Sequence, residues 1–300
     1  MKRGRRTAFI ISFLAPAVLL YSTLVCIPLF QAFQLSLHSF RGVSSNRAFV
    51  GMQNFQKLAA DPIYLRALGN NIWLLLVGGV AVMVLGLALA HAAQGEGRGA
   101  RTLRSVYLFP QVISMVVVAI IWQFLYNPSF GAIDSVFKVL HLPIPKNGWL
   151  GDPSTALPAV GVAFVWYVLG FYIMLFGAGI KNIPEEIFEA AHLDGADGWR
   201  RFQKVTWPLL WSVKRVAFSY IAINVLNVFA LVYVMTGGGP DRRTETMLTY
   251  LYEAGFKNYQ FGYASAIAVA NFVVAMAISL LVLWFFRHNP EAPRRRRQAR

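Results

Sequence analysis

Six stretches of mainly apolar residues constrain this chain more than any other feature. A helix that rises 1.5 Å per residue needs about 20 apolar residues to cross the hydrocarbon core of a bilayer. The stretches lie at residues 8–30, 72–93, 105–126, 156–180, 213–235 and 263–286. Charged residues make up only 14% of the chain, whereas soluble domains carry about 25%. One such run could be a buried helix of a soluble core, but six predict an all-α membrane protein with six transmembrane helices.

The distribution of lysine and arginine predicts how these helices are oriented. An even number of spans places both termini on one side of the membrane. The segments on that side hold 19 of the lysines and arginines, and those on the other side hold 9. This excess predicts cytoplasmic termini, with the basic segments 1–7 and 287–300 near anionic lipid rather than nucleic acid. The asymmetry is weakest for the external segment 31–71.

The first apolar run follows a basic N-terminus, as the apolar region of a signal peptide does. It continues past Pro16 to Phe30, which is longer than that region, and no small-x-small cleavage site follows it cleanly. We therefore expect a retained helix and a six-helix domain at residues 8–286, flanked by the basic N-terminus 1–7 and the basic tail 287–300.

No sequence pattern for bond chemistry is present. The chain lacks G-x-x-x-x-G-K-[ST], H-E-x-x-H and G-x-S-x-G, so we expect neither an enzyme nor a metal site. Acidic residues are nearly absent from the middles of the runs, which disfavours an ion-coupled pump and leaves energy to enter from outside the membrane. A stand-alone secondary transporter of a small polar solute remains the alternative, and a membrane-embedded scaffold or enzyme is disfavoured.

Neutral polar residues inside the runs are candidates for a solute path. They are Gln123, Asn224, Asn227, Tyr233 and Asn271. Amides offer both donors and an acceptor, which suits a neutral ligand rich in hydroxyl groups. The alternative is that the amides hydrogen-bond between helices as packing contacts. Tyr233 could stack on a sugar ring or lie at the headgroup level.

The segment 181–212, here named the 181–212 loop, is charged and lies between two apolar runs. Pro184 fits the first turn of a helix, and Asp194-Gly195 provides a stop at which glycine can take the left-handed conformation. Asp197 can then cap a second helix, in which Trp199, Phe202 and Val205 recur at three-residue spacing and which Pro208 closes. We expect two short helices that dock into a groove of another protein, rather than a solvated hairpin.

The same loop carries a recognisable signature. Glu189-Ala190-Ala191, then Gly195, then Val205-Thr206-Trp207-Pro208 resembles the "EAA…G…I-x-L-P" signature of inner-membrane permease subunits of binding-protein-dependent ABC importers, although Trp207 replaces the usual leucine. Further blocks resemble the carbohydrate-uptake branch, and within it the first permease subunit, similar to the maltose and glycerol-phosphate permeases. These blocks are Leu108-Phe109-Pro110 with Trp122, Tyr126-Asn127-Pro128, Trp149-Leu150-Gly151-Asp152, Thr236-Gly237-Gly238-Gly239-Pro240 with Thr244-Glu245-Thr246, and Phe261-Gly262-Tyr263-Ala264-Ser265-Ala266.

This resemblance implies a type I ABC importer permease fold in a bacterial or archaeal plasma membrane. It also implies a second, different permease subunit, an ATPase dimer that binds ATP and Mg²⁺ while this chain binds no cofactor, and an external solute-binding protein, periplasmic or lipid-anchored. The residues that would couple to the ATPase are Glu186, Glu189, Ala190, Ala191, Asp194, Gly195 and Ala196. The external segments 31–71, 127–155 and 236–262 would contact the binding protein or serve as connectors. The cargo could be a sugar, a sugar alcohol or a glycerol phosphate ester.

Overall fold

The computed structural model is mostly helical over the residues it describes, which are 3–42, 47–94, 97, 102, 106, 107 and 109–287. The first helices are α1 (Arg3–Tyr21), α2 (Ile27–Ser36), α3 (Gln53–Ala59), α4 (Pro62–Trp73), α5 (Gly79–Ala92), α6 (Met115–Leu125), α7 (Ala132–Val139) and α8 (Ala156–Lys181). They are followed by α9 (Glu185–Leu193), α10 (Gly198–Arg201), α11 (Trp207–Leu209), α12 (Trp211–Leu226), α13 (Ala230–Met235), α14 (Met247–Tyr252) and α15 (Phe261–Phe285). Four π-helical turns adjoin them, at Ser22–Cys26, Leu74–Gly78, Phe202–Thr206 and Glu253–Lys257.

Four helical segments are long and apolar enough to cross a membrane. They are Phe9–Ser36, Pro62–Ala92, Ala156–Lys181 and Phe261–Phe285, and they overlap the first, second, fourth and sixth predicted runs. None of the most apolar stretch of Phe9–Ser36 is buried inside the chain, whereas 61% of that in Ala156–Lys181 is. The chain itself therefore does not cover the most apolar stretch of Phe9–Ser36, whereas Ala156–Lys181 lies in the core of the chain.

The third and fifth predicted runs are not single long helices in the described part of the chain. α6 has 11 residues and starts after Ser114, whose extended backbone (φ −59°, ψ 137°) interrupts the run; the predicted start at residue 105 lies outside the described residues. The fifth run breaks after Leu226 and resumes at Ala230. Segment Gly198–Leu209 instead meets α12 at an angle of 72°. By length and composition the described residues thus give four spans, or five with this bent pair, and the total of six stays a prediction.

The chain divides into two compact units. The larger one comprises Arg66–Thr249 and Val274–Arg300. Within it α5 packs along α8, and α6 packs against α13. At Gly86 the two helices α5 and α8 approach so closely that an added Cβ would lie 2.9 Å from the Cβ of Tyr172. Tyr172 and its neighbours Phe164 and Phe176 are almost completely buried, so α8 forms the centre of this core.

The smaller unit comprises Met1–Leu65 and Tyr250–Val273. It holds a short antiparallel pair, β1 (His38–Ser39) and β2 (Ala48–Phe49), in which His38 is opposite Phe49. Asp61 precedes α4, and one of its oxygens accepts the N–H of Ile63 at 2.9 Å. The other oxygen accepts the hydroxyls of Tyr250 and Tyr263, both at 2.5 Å. Both carboxylate oxygens of Asp61 are therefore engaged.

Candidate functional site

The first helix of the 181–212 loop is α9. Pro184 occupies the N-cap position (φ −54°, ψ 140°), one residue before the first turn in which it was expected, and Glu185 and Glu186 follow in that turn. Acidic residues there favour the positive end of the helix dipole. Glu186, Glu189 and Ala190 are all exposed, so α9 presents an outward face on which acidic and small side chains alternate.

The turn that ends α9 is a Schellman motif. Gly195 has φ +71°, and its N–H donates to the carbonyl of His192 at 3.0 Å. The N–H of Ala196 donates to the carbonyl of Ala191 at 2.8 Å. These are the two bonds that define the motif, and glycine is the residue that adopts its left-handed position without strain. Ala191 and Ala196 are buried, so the predicted stop at Asp194-Gly195 is found in the geometry.

Asp197 lies where it was predicted, but its side chain does something else. It occupies the N-cap position of α10 without a side-chain hydrogen bond to that helix. Its Oδ1 instead lies 2.8 Å from Nδ1 of His192. The cap prediction was therefore wrong for the carboxylate, which bridges the two helices of the loop because the turn brings His192 within its reach.

The second helix of the loop is made of α10, a π turn and α11. The rings of Trp199 and Phe202 stack with centroids 5.0 Å apart and an interplanar angle of 21°, and the guanidinium of Arg201 lies 5.6 Å from the centroid of Phe188 on α9. Pro208 sits inside α11, and the chain bends after Leu209. The predicted aromatics Trp199 and Phe202 thus stack on each other within the second helix, and one contact between the two helices is that of Arg201 with Phe188.

The loop exposes large apolar side chains. Leu193 is 87% exposed, Trp199 69%, Trp207 41% and Ile187 37%. Exposed apolar groups that cluster on a polar segment mark surfaces that bind another protein or a membrane. Leu193 follows the exposed Glu189 by four residues on α9, so one face of this short helix exposes both an apolar and an acidic side chain.

The candidate path residues Asn224 and Asn227 each bond to their own helix. Nδ2 of Asn224 donates to the carbonyl of Tyr220, and Nδ2 of Asn227 to that of Ile223, both at 2.8 Å. Asn224 is half-buried and Asn227 exposed. Asn227 is also the C-cap residue of α12. The expected shared face therefore sits at a helix terminus rather than inside a continuous span.

Gln123, Tyr233 and Asn271 differ in their surroundings. Nε2 of Gln123 donates to the carbonyls of Val234 at 2.7 Å and Met235 at 3.3 Å, which ties α6 to α13. Tyr233 stacks on a neighbouring ring with centroids 5.2 Å apart. Asn271, in the smaller unit, is buried, and its Oδ1 has no hydrogen-bond partner among the described residues. Gln123 thus forms hydrogen bonds between helices, whereas the side-chain oxygen of Asn271 can still accept a hydrogen bond.

Gln123 also lines a cleft of about 380 Å³. Its other walls include the amides of Asn127 and Asn147 and the rings of Tyr126 and Trp149. The indole of Trp149 is fixed, because its Nε1 donates to Asp134 at 2.6 Å. Amides beside fixed aromatic rings are groups that can contact a sugar.

A buried asparagine before the second predicted run was missed. Asn71 is completely buried; its Nδ2 donates to the carbonyl of Val225 at 2.8 Å, and its Oδ1 accepts the N–H of Met247 at 2.9 Å. Thr246 donates to the carbonyl of Val228 at 3.2 Å. These side chains satisfy the backbone where α12 gives way to α13. The signal was present as Asn70-Asn71, a polar pair at the margin of an apolar run.

The glycine-rich turn of residues 236–240 closes over a second missed residue, Glu245. Gly238 has φ +91°, and a Cβ at this position would lie 2.7 Å from Oε2 of Glu245. Glu245 is 2% exposed and pairs with Arg242 at 3.2 Å and with the hydroxyl of Thr249 at 2.5 Å. Glycine is needed here because the buried carboxylate occupies the space of a side chain.

Comparison with known proteins agrees with this architecture. Residues 82–294 match the family described as the inner membrane component of binding-protein-dependent transport systems. The chain is 34% identical over 281 residues to the probable ABC transporter permease protein YurN of Bacillus subtilis, covering 93% of this chain and 96% of that protein. It is also 34% identical to the diacetylchitobiose uptake system permease protein NgcF of Streptomyces coelicolor, covering 92% and 82%.

A solved structure shares the fold. The crystal structure of a bacterial ABC transporter involved in the import of the acidic polysaccharide alginate contains a chain that matches with a TM-score of 0.79 over 94% of this chain and 96% of that one, at 22% identity. The predicted type I permease fold is thereby confirmed in its architecture. With residues 82–294 covered by one family and 34% identity across 93% of the chain, this protein belongs to the inner-membrane components of binding-protein-dependent transport systems.

Proposed function

We propose that this chain is one of two different permease subunits that form the pore of an ATP-driven sugar importer. The observation that carries the proposal is the 181–212 loop, in which α9, the Schellman turn at Gly195 and the exposed Leu193 form a preformed docking element between two apolar segments. Glu186, Glu189, Ala190, Ala191, Asp194, Gly195 and Ala196 are the residues we assign to ATPase coupling.

The loop would transmit force from a cytoplasmic ATPase dimer. ATP and Mg²⁺ are bound by that dimer, and α9 sits in a cleft of it, so that closure of the ATPase moves α8 and α12 as rigid bodies. A short helix with an apolar face and a polar margin suits recognition in a groove. The four long apolar segments contain no Asp or Glu, which favours this external source of energy over the stand-alone secondary transporter.

The remaining assignments follow from charge and from relatives. The excess of lysine and arginine on the terminal side supports cytoplasmic termini in a bacterial or archaeal plasma membrane. On the other side, the segments 31–71, 127–155 and 236–262 face an external solute-binding protein. The segment Phe9–Ser36, whose most apolar stretch is not buried by its own chain, would lie against lipid and the second permease subunit.

A sugar cargo is supported by the neutral polar groups and by a named relative, the diacetylchitobiose permease NgcF. We assign Asn224, Asn227, Tyr233, Asn271 and Gln123 to the solute path. Each amide nitrogen carries two hydrogens and each amide oxygen two lone pairs, so one hydrogen bond to the backbone leaves capacity for sugar hydroxyls.

Reconstitution into proteoliposomes tests the proposal. The purified chain alone is expected to bind no ATP and to take up no radiolabelled diacetylchitobiose or maltose. Co-expression with the adjacent second permease, ATPase and binding protein should yield a complex that hydrolyses ATP and imports the sugar that stabilises the binding protein in a thermal-shift screen. Uptake by the chain alone would refute the subunit assignment, and a complex from which the ATPase dissociates equally with and without the 181–212 loop would refute the coupling assignment.

A further inference from the structure

Lys214 is a buried cation at the start of α12. It is 4% exposed and lies one helical turn beyond Leu210, where the chain bends by 72°. A lysine is rarely buried, because removing its charge from water is costly unless other groups compensate. The groups that contact its ammonium therefore bear on the role of this buried charge.

Trp207, on the helix before the bend, contacts Lys214 through both its carbonyl and its ring. Nζ of Lys214 donates to the carbonyl of Trp207 at 2.6 Å. The same nitrogen lies 4.0 Å from the centroid of the Trp207 ring and 5.5 Å from that of Trp211. Carbonyls in the last turn of a helix lack their intrahelical partners and attract cations. Lys214 thus bridges the break, with one tryptophan on each side of it.

The bend is also packed against the helix that leads into the loop. Leu210 is completely buried. A Cβ at Gly179 of α8 would lie 2.9 Å from Cδ2 of Leu210 and 2.7 Å from Cγ2 of Val213, so these two side chains pack directly against the backbone of α8 at this glycine. The entry and the exit of the 181–212 loop are therefore held at the same place.

We propose that Lys214 is a positioning residue for coupling: its ammonium group fixes the angle at Leu210, so that displacement of the 181–212 loop moves α12 rather than opening the bend. This inference rests on the proposed function, since it assumes that the loop receives the movement. Two segments joined at an unpinned bend would flex independently, and ATP would then be hydrolysed with less movement of the pore helix.

Three variants of the complete importer complex in proteoliposomes test this role. Lys214→Met keeps the aliphatic stem and removes the charge, and Lys214→Arg keeps a cation. Arg287→Met, the control, removes an exposed cation outside the 181–212 loop that lies 5.3 Å from the centroid of the Trp284 ring. The readout is sugar imported per ATP hydrolysed. We expect Lys214→Met to lower this ratio about tenfold, as for loss of a desolvated cation–π and charged hydrogen bond. Lys214→Arg should recover most of the ratio, and Arg287→Met should leave it unchanged.

Two results would overturn the inference. One is a ratio in Lys214→Met equal to that in Arg287→Met, which would make Lys214 a membrane-interface anchor only. The other is a ratio in Lys214→Arg as low as in Lys214→Met, which would show that the charge is not the operative group. If the complex with Lys214→Met does not assemble, Trp207→Leu can be used instead, because it removes the ring and keeps the carbonyl. This variant should lower the ratio by less than the tenfold expected for Lys214→Met, and an unchanged ratio would count against the inference.

The same experiment separates this inference from the function on which it rests. Gly195→Val alters the turn of the loop and leaves the bend intact. If both Gly195→Val and Lys214→Met import normally per ATP, coupling through the loop is wrong. If Gly195→Val uncouples the complex and Lys214→Met does not, only the role of Lys214 is wrong.

Discussion

Replacing Gly195 with valine should uncouple ATP hydrolysis from transport. Gly195 has φ +71°, and nothing lies within 4 Å of the position a Cβ would take, so the substitution creates no clash with another residue. The cost is in the backbone: an L-residue in the left-handed region loses roughly 1–2 kcal/mol, and a β-branched one is an outlier there. The same conformation supports the two bonds that close the turn, from Gly195 to His192 and from Ala196 to Ala191.

That free energy translates into a measurable defect. A shift of roughly 1–2 kcal/mol changes an equilibrium by about 5–30-fold, here the equilibrium between the closed turn and frayed alternatives. We expect sugar imported per ATP to fall by a factor in this range for the complete complex in proteoliposomes, while the complex remains assembled on size-exclusion chromatography. Hydrolysis itself should persist, because this chain contributes no residue to the ATP site under the proposal.

Two control variants isolate the cause. Gly195→Asn places a residue that tolerates the left-handed conformation in the same turn, and should retain most of the ratio. Gly69→Val puts the same side chain at a glycine of α4 whose φ is not positive and whose Cβ would meet nothing within 4 Å, and should behave as wild type. Normal import by Gly195→Val, or equal losses in all three variants, would refute the reasoning.

Two further predictions concern polar residues that tie segments together. Burial raises the pKa of the Asp61 carboxyl, but hydrogen bonds from Tyr250, Tyr263 and two backbone N–H groups lower it by more, so this pKa lies below its ordinary value. A lowered pKa stabilises the folded state above about pH 4, and this stabilisation is lost as the pH falls further. Asp61→Asn should therefore lower the midpoint of thermal unfolding at pH 7, and the difference from wild type should shrink toward pH 3; a constant difference would contradict it. Asn71→Ala should lower the free energy of unfolding by roughly 2–5 kcal/mol, because it leaves a buried carbonyl and a buried N–H without a hydrogen-bond partner. Asn258→Ala, at an exposed residue, should leave this free energy unchanged. Equal midpoints in urea unfolding for the two variants would contradict this reasoning.

The sequence predicted the 181–212 loop well because its structure is locally encoded. A proline before the helix, acidic residues in its first turn and a glycine after it act over a few residues. The helix, the turn at Gly195 and the second helix are all present. The carboxylate of Asp197 was misassigned since two local partners competed for it, the N–H groups of α10 and the imidazole of His192, and periodicity does not rank them.

The membrane spans were predicted less well than the 181–212 loop. Hydropathy shows that a segment is apolar, but it does not show that the segment is one continuous helix. Residues 213–235 read as a single run, yet α12 ends at Leu226 because distant side chains take over its backbone. Asn71 and Thr246 bond to the carbonyls of Val225 and Val228. Such contacts, across 154 positions in the case of Asn71, depend on tertiary packing. The local sequence shows the polar pair Asn70-Asn71 but not the backbone groups to which Asn71 bonds.

The break itself favours an aqueous path beside α12. Irregular backbone at membrane depth is tolerated where it is buried in protein or lines a water-filled cavity, because hydrocarbon satisfies no polar group. On one side of this break, the completely buried Asn71 satisfies the backbone carbonyl of Val225. The other side carries the exposed Asn227, whose Nδ2 already donates to Ile223 and whose oxygen remains an acceptor. Lipid would leave that oxygen unsatisfied, whereas a sugar hydroxyl, water or the second permease subunit would not, so the proposed path would supply the partner that this break in the fifth run requires.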